Sequence, residues 1–101
     1  MALKIVFARQ AQRDLEDILS YIAIDDQTAA RRMMQRIEKI VLLLADRPYA
    51  GPLVPASGDA ELRKMSVPPY IIYYRPKPKA LQIARILHSS RDLDLAALFR
   101  R

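Results

Sequence analysis

All seven prolines and both glycines of this 101-residue chain lie between positions 48 and 78, and the residues before them contain neither. Proline lacks an amide hydrogen and biases its predecessor away from helix, so a stretch without these residues can run as long helices. A stretch dense in them must break into short pieces. The chain therefore divides into a helical first half and a second half of short strands and turns.

The first half opens with Ala2-Leu3-Lys4-Ile5-Val6-Phe7, a run rich in β-branched and aromatic side chains that predicts a strand. From Ala8 the period turns helical: Ala11, Leu15, Ile18 and Ile22 recur at three- and four-residue steps to about Ala23, with Arg13, Asp14, Glu16 and Asp17 turned outward. The pair Asp25-Asp26 ends this helix and supplies a carboxylate to cap the next. Ala30, Met33, Ile37, Ile40/Val41 and Leu44 form the stripe of that second helix, with Arg31, Arg32, Arg36 and Lys39 mostly off it. So short a connection predicts an antiparallel hairpin. Arg47-Pro48 stops the second helix, and residues 47–59 form a loop held by Tyr49, Leu53 and Val54.

Three strand-like runs follow: Ala60–Val67, Tyr70–Arg75 and Ala80–His88, separated by Pro68-Pro69 and by Pro76-Lys77-Pro78-Lys79. Both connections are short enough for hairpins. Ile71-Ile72-Tyr73-Tyr74 and Ile83–Leu87 are apolar on both sides, which predicts a sheet covered on both faces. The helical hairpin covers one face, and Leu93, Leu95, Leu98 and Phe99 in a last turn or short helix cover part of the other. The expected fold class is α+β, a helical hairpin packed on a mainly antiparallel sheet in the order βααβββ with a carboxyl-terminal tail. It forms a single domain over residues 1–101.

The net charge of +6 is uneven, with eight Lys/Arg against seven Asp/Glu in residues 1–50 and nine against four in residues 51–101. That field steers anionic partners, whether nucleic acid or acidic protein. There is no cysteine, hence no disulfide, thiol nucleophile or zinc–thiolate site. No apolar run approaches the ~18 residues that span a bilayer, and no basic-then-apolar leader opens the chain, so a cytoplasmic location without a membrane partner is expected.

Chemistry has few places to sit. One histidine without cysteine leaves only scattered carboxylates and no credible metal site, and two isolated glycines make no phosphate loop. No cofactor is expected. The spacing of His88 from Ser20, Ser57, Ser66, Ser89 or Ser90 supports no nucleophilic triad. Metal-free RNA cleavage needs a base, an acid and cations on the developing charge; His88, Tyr73 or Tyr74, Lys64, Arg85 and Arg91 have suitable side chains. Against that, tyrosines on a central strand are usually core residues, and a histidine ending a strand before Ser89-Ser90-Arg91-Asp92 usually stabilises the turn.

The pattern Ala11…Asp14-Leu15…Ile18…Tyr21-Ile22-Ala23, then Leu44…Pro48…Gly51, then Arg63…Val67…Tyr70-Ile71-Ile72-Tyr73-Tyr74-Arg75, and lastly Ile83…Arg85-Ile86-Leu87-His88-Ser89-Ser90-Arg91-Asp92 resembles the ParE-type toxins of the RelE/ParE toxin–antitoxin superfamily, also known as plasmid stabilisation proteins. The resemblance covers nearly the whole chain. It implies a cytoplasmic growth-regulating toxin that inhibits DNA gyrase by protein binding, neutralised by a cognate ParD-like antitoxin, with operator DNA reached only through the antitoxin. RelE-like members instead cut messenger RNA on the ribosome, using a lysine-rich helix edge or loop, a third-strand arginine and a late tyrosine or histidine. Here Ile71 takes the place of that arginine, residues 47–59 contain no lysine, and no tyrosine follows Tyr74. Arg91 matches an arginine common to both branches. The expectation is thus a gyrase-binding inhibitor with no catalytic residues; the alternative is a metal-free, ribosome-dependent endoribonuclease, and a third reading is a chain that has lost toxicity. The target-binding candidates are Arg63, Arg75, Arg85, His88, Arg91, Arg100 and Arg101. An acidic amphipathic antitoxin segment is expected to fold along the helical hairpin and a sheet edge, with Leu15, Ile18, Ile22, Met33 and Ile37 as its candidate contacts.

Overall fold

A computed structural model of the chain describes residues 2–91 and 93–99. The order is β1 (Lys4–Phe7), α1 (Arg9–Asp25), α2 (Gln27–Asp46), a 3-10 turn (Pro55–Ser57), β2 (Arg63–Val67), β3 (Tyr70–Pro76), β4 (Ala80–His88) and α3 (Leu95–Phe99). α1 runs to Asp25, two residues past the predicted end. Asp26 is the hinge between the helices, and its Oδ1 accepts the Ala29 amide at 3.1 Å as the cap of α2. α2 is tied to the β2–β3 turn where Arg36 Nη2 donates to Pro68 O at 2.8 Å.

The sheet order is β1-β4-β3-β2, with β2–β3 and β3–β4 antiparallel and β1 parallel to β4. The α+β class, the helical hairpin and the mainly antiparallel sheet are as the sequence predicts, and the parallel edge strand makes the sheet mixed. One boundary differs by three residues. β2 begins at Arg63 and not at Ala60, because Asp59 folds the chain back: its Oδ1 accepts Glu61 N at 2.9 Å and its carbonyl accepts Leu62 N at 3.3 Å. In the loop before it, Val54 is buried at 4% exposure, but Tyr49 and Leu53 are exposed. Polar contacts hold this loop instead. Gly51 N donates to Tyr74 Oη at 2.9 Å, and Arg63 Nη1 donates to Gly51 O at 2.7 Å. A Cβ on Gly51 would lie 2.2 Å from Lys64 O and 2.7 Å from Tyr74 Oη, so only glycine lets the loop backbone lie this close to β2 and β3.

Both faces of the sheet are covered. On one, Ala11, Met33, Ile37, Val41 and Leu44 pack on Ile72, Tyr74, Leu81, Ile83 and Ile86. On the other, Val54, Leu62 and Phe99 pack on Tyr73, Ala84 and Leu87. The alternation along β4 is set by an irregularity: Tyr73 pairs with Arg85 and Tyr74 with Ile83, leaving Ala84 as an extra residue. An inserted residue shifts every later side chain to the opposite face. For this reason Ile83 and Ile86, three apart, share the helix-side core, and Arg85 leaves it.

Candidate functional site

Three of the candidate arginines are engaged within the fold. Arg63 lies over the Tyr49 ring at 5.0 Å in addition to its bonds to the loop carbonyls. Arg75 Nε meets Asp59 Oδ2 at 2.7 Å and its Nη1 donates to Gln82 Oε1 at 3.0 Å. Arg85 Nε and Nη2 donate to the two oxygens of Asp14 at 2.8 and 3.0 Å, a two-point pairing. The hydrogen bond from Asp14 raises the Arg85 pKa above its ordinary value, opposed by burial.

Asp14 was predicted to face outward and does not; its side chain is only 12% exposed. The reason lies in the sheet. β1 pairs with β4 only from Ala80 to Ile83, so the later β4 amides on that edge lack a strand partner, and Asp14 Oδ2 accepts the Ile86 amide at 3.0 Å. An apolar-periodicity reading marks Asp14 as surface; the signal that it is not would have been an acid on the flank of the helix stripe matched to a lone strand arginine.

Beyond that carboxylate the α1 flank and the last residues of β4 diverge into a cleft of about 760 Å³, whose lining includes Asp17, Ile18, Tyr21, Tyr70, His88 and Arg91. The carboxyl-terminal end of the cleft is shaped by a turn in which Ser89 N donates to Pro69 O at 2.8 Å and Arg91 N donates to His88 O at 3.2 Å. His88 stacks edge-on against Tyr70 with centroids 5.4 Å apart. Its Nδ1 accepts the Ser90 amide at 3.1 Å and lies 2.7 Å from Ser90 Oγ, the turn-stabilising role that the sequence suggests. Of the seven target-binding candidates, the structure brings only His88 and Arg91 together on one cleft; Arg100 and Arg101 lie outside the described residues. Tyr73 and Tyr74 are buried on opposite faces, and burial raises both phenol pKa values, with the Gly51 amide and Arg63 pulling Tyr74 the other way.

The antitoxin candidates fall mostly inside. Ile37 and Met33 are 1% and 8% exposed and pack on the sheet, whereas Leu15, Ile18 and Ile22 are partly buried against the same core and Ile18 also lines the cleft. The apolar side chains that the hairpin does present are Tyr21, Ile24, Leu42 and Leu43, at 74%, 81%, 55% and 44% exposure. They sit off the stripe, where an apolar residue has no core to explain it, and that was the sequence signal for them.

A short antiparallel meander backed by a helical hairpin, with an open cleft beside β4, defines a small α+β fold. A family model described as "ParE toxin of type II toxin-antitoxin system, parDE" matches residues 5–93. The chain is 35% identical over 89 residues to "Toxin RelE2" of Caulobacter vibrioides, covering 87% of this chain and 97% of that one. It is 33% identical over 89 residues to "Putative toxin Y4kP" of Sinorhizobium fredii, covering 88% and 91%. Among solved structures it is similar to the chromosomal ParDE toxin–antitoxin system of P. aeruginosa, with TM-score 0.70, 26% identity, and 86% and 96% of the two chains covered. The E. coli DinJ–YafQ complex shares the fold at TM-score 0.57 and 17% identity, with 89% and 96% covered. The protein belongs to the ParE toxin family of type II toxin–antitoxin systems. No helix among the described residues is long and apolar enough to cross a membrane.

Proposed function

We propose that the protein inhibits DNA gyrase by binding it, without chemistry of its own, and that a cognate ParD-like antitoxin neutralises it. The observation that carries this reading is the commitment of the strand arginines: Arg63, Arg75 and Arg85 are each held by carboxylates, an amide or backbone carbonyls of the fold. Catalysis of phosphodiester cleavage needs cations directed at the charge that develops on the phosphate. Cations already paired within the protein suit a binding domain better. The match to the ParE family and the likeness to a ParDE system support the same target class.

The test is purified protein in a gyrase supercoiling assay alongside a ribosome-bound messenger cleavage assay. Gyrase should lose supercoiling activity at sub-stoichiometric to equimolar toxin, and the messenger should stay intact. Cleavage of the messenger with gyrase unaffected would replace this reading by ribosome-dependent RNA cleavage. Two observations favour that second reading: His88 and Arg91 share a cleft, and a 35% identical relative carries the name "Toxin RelE2".

A further inference from the structure

The hydrogen bonds of His88 decide what its ring can do. A backbone amide only donates, so the 3.1 Å contact from Ser90 N makes His88 Nδ1 an acceptor, and the Ser90 hydroxyl adds a second contact to the same atom at 2.7 Å. In the neutral ring the proton then sits on Nε2. Nε2 has no partner among the described residues, and the side chain lines the cleft. As placed, this imidazole offers the cleft an N–H and not a basic lone pair. Beside it, the Arg91 amide bonds to the His88 carbonyl at 3.2 Å; Arg91 lines the same cleft, and its guanidinium has no partner among the described residues.

We propose that the cleft between α1 and the end of β4 binds an apolar peptide segment through a single carboxylate, which accepts hydrogen bonds from His88 Nε2–H and from the Arg91 guanidinium. Charge complementarity selects this occupant. Two donors on one cleft, one of them a permanent cation, match one carboxylate. The rest of the cleft is walled largely by Ile18, Tyr21, Pro69, Tyr70 and Ile86, which suits apolar side chains next to that carboxylate. Asp14 is already paired with Arg85 and the Ile86 amide, but Asp17 stands exposed on the α1 wall. A phosphodiester backbone bearing successive charges would run into Asp17; a peptide with one acid does not. The inference rests on the proposed function only in taking the partner to be a protein, and it adds the chemistry by which that partner is recognised.

Two substitutions at one position separate the donor from the turn. His88→Asn keeps an oxygen able to accept the Ser90 amide and removes the Nε2 donor, whereas His88→Gln carries an amide donor near the place of Nε2 and gives up the turn acceptor. The probe is a random twelve-residue peptide library displayed on phage and selected on the intact protein, followed by titration of the selected peptides with NMR detection. Selected peptides should carry one Asp or Glu flanked by apolar residues and shift the signals of Tyr21, His88 and Arg91. Their Kd should rise about tenfold or more in His88→Asn and in Arg91→Gln, and change little in His88→Gln. Ring nitrogen spectra should show the proton on Nε2. The proposal is overturned by selected peptides lacking a carboxylate, by His88→Asn binding like the parent, or by a proton on Nδ1. It is also overturned if a single-stranded oligonucleotide shifts the cleft signals more tightly than the peptides, or if those signals shift with protein concentration alone, as for a second copy. Arg91→Gln, a change at an exposed residue, keeps the test decisive should His88→Asn fail to fold. Gyrase inhibition by the same preparations is read separately, so peptide binding without gyrase inhibition removes the gyrase target and leaves the cleft assignment standing.

Discussion

Among the described residues, thirteen buried ones on one face of the sheet knit α1 and α2 to β2, β3 and β4, whereas the other face holds six, drawn from the loop, a turn, two strands and the five-residue α3. The helix-covered face is closed by side chains on long elements that are fixed at many points. The opposite face is closed by the short α3, with Phe99 against Tyr73 at a centroid distance of 5.1 Å. A cavity made in the first cannot be relieved by movement, because the helices are held along their length. A gap made in the second opens to water as α3 shifts. Stability should therefore concentrate in the helix-side core, and the cleft and second face should tolerate change.

The largest expected effect is on the helix side. Leu44→Ala, at a position with 0% exposure, should cost about 2–5 kcal/mol in denaturant unfolding, the range for truncating a fully packed core leucine. On the other face Phe99→Ala should cost about 1.5–3 kcal/mol, the transfer value of one buried side chain without a rigid cavity. Equal costs for the two would abolish the distinction between the faces.

Asp14→Ala should cost about 1.5–3 kcal/mol, because it strands the Arg85 guanidinium and the Ile86 amide in a partly buried site. Adding Arg85→Leu should recover part of that loss, since replacing both partners removes the unpaired charge. A double variant no more stable than Asp14→Ala would locate the cost in the Ile86 amide alone.

A smaller effect separates the two tyrosines that face opposite ways. Tyr74→Phe should cost about 1–3 kcal/mol by leaving the buried Gly51 amide without its acceptor, and Tyr73→Phe should be near neutral, since its phenol makes no hydrogen bond among the described residues. The smallest effect is an alkaline one. Burial raises both phenol pKa values, so the native state holds its phenol protons at pH values where the unfolded chain, near 10, has begun to lose them. Their contribution is fully present below pH ~10 and is lost as pH rises through the folded values. Thermal melts across that interval should show the parent falling more steeply than Tyr73→Phe.

Much of the architecture was legible because it is written in local terms. Helix periodicity over Ala11–Ile22 and Ala30–Leu44, the Asp26 cap, and the prolines that end α2 and part the strands act within a few residues of themselves, and the structure follows them. The two-sided apolar strands foretold two covered faces for the same reason. Burial of Met33 and Ile37 was legible as well, since both lie on the apolar stripe of α2.

The rest depended on contacts between residues far apart in the chain. Asp14 and Arg85 are 71 positions apart, and neither helix period nor strand alternation says that they meet; that follows from β1 stopping at Phe7 opposite Ile83 and leaving the Ile86 amide to be satisfied. The same holds for Gly51 beneath Tyr74, and for the extra residue Ala84 that turns Arg85 out of the core. His88 shows the division within one side chain. Its sequence neighbours determine that it ends a strand at a turn, but which nitrogen carries the proton and what the ring then faces are set only when the turn closes and α1 is packed beside it, because the Ser90 amide takes the acceptor that the folded turn brings within reach.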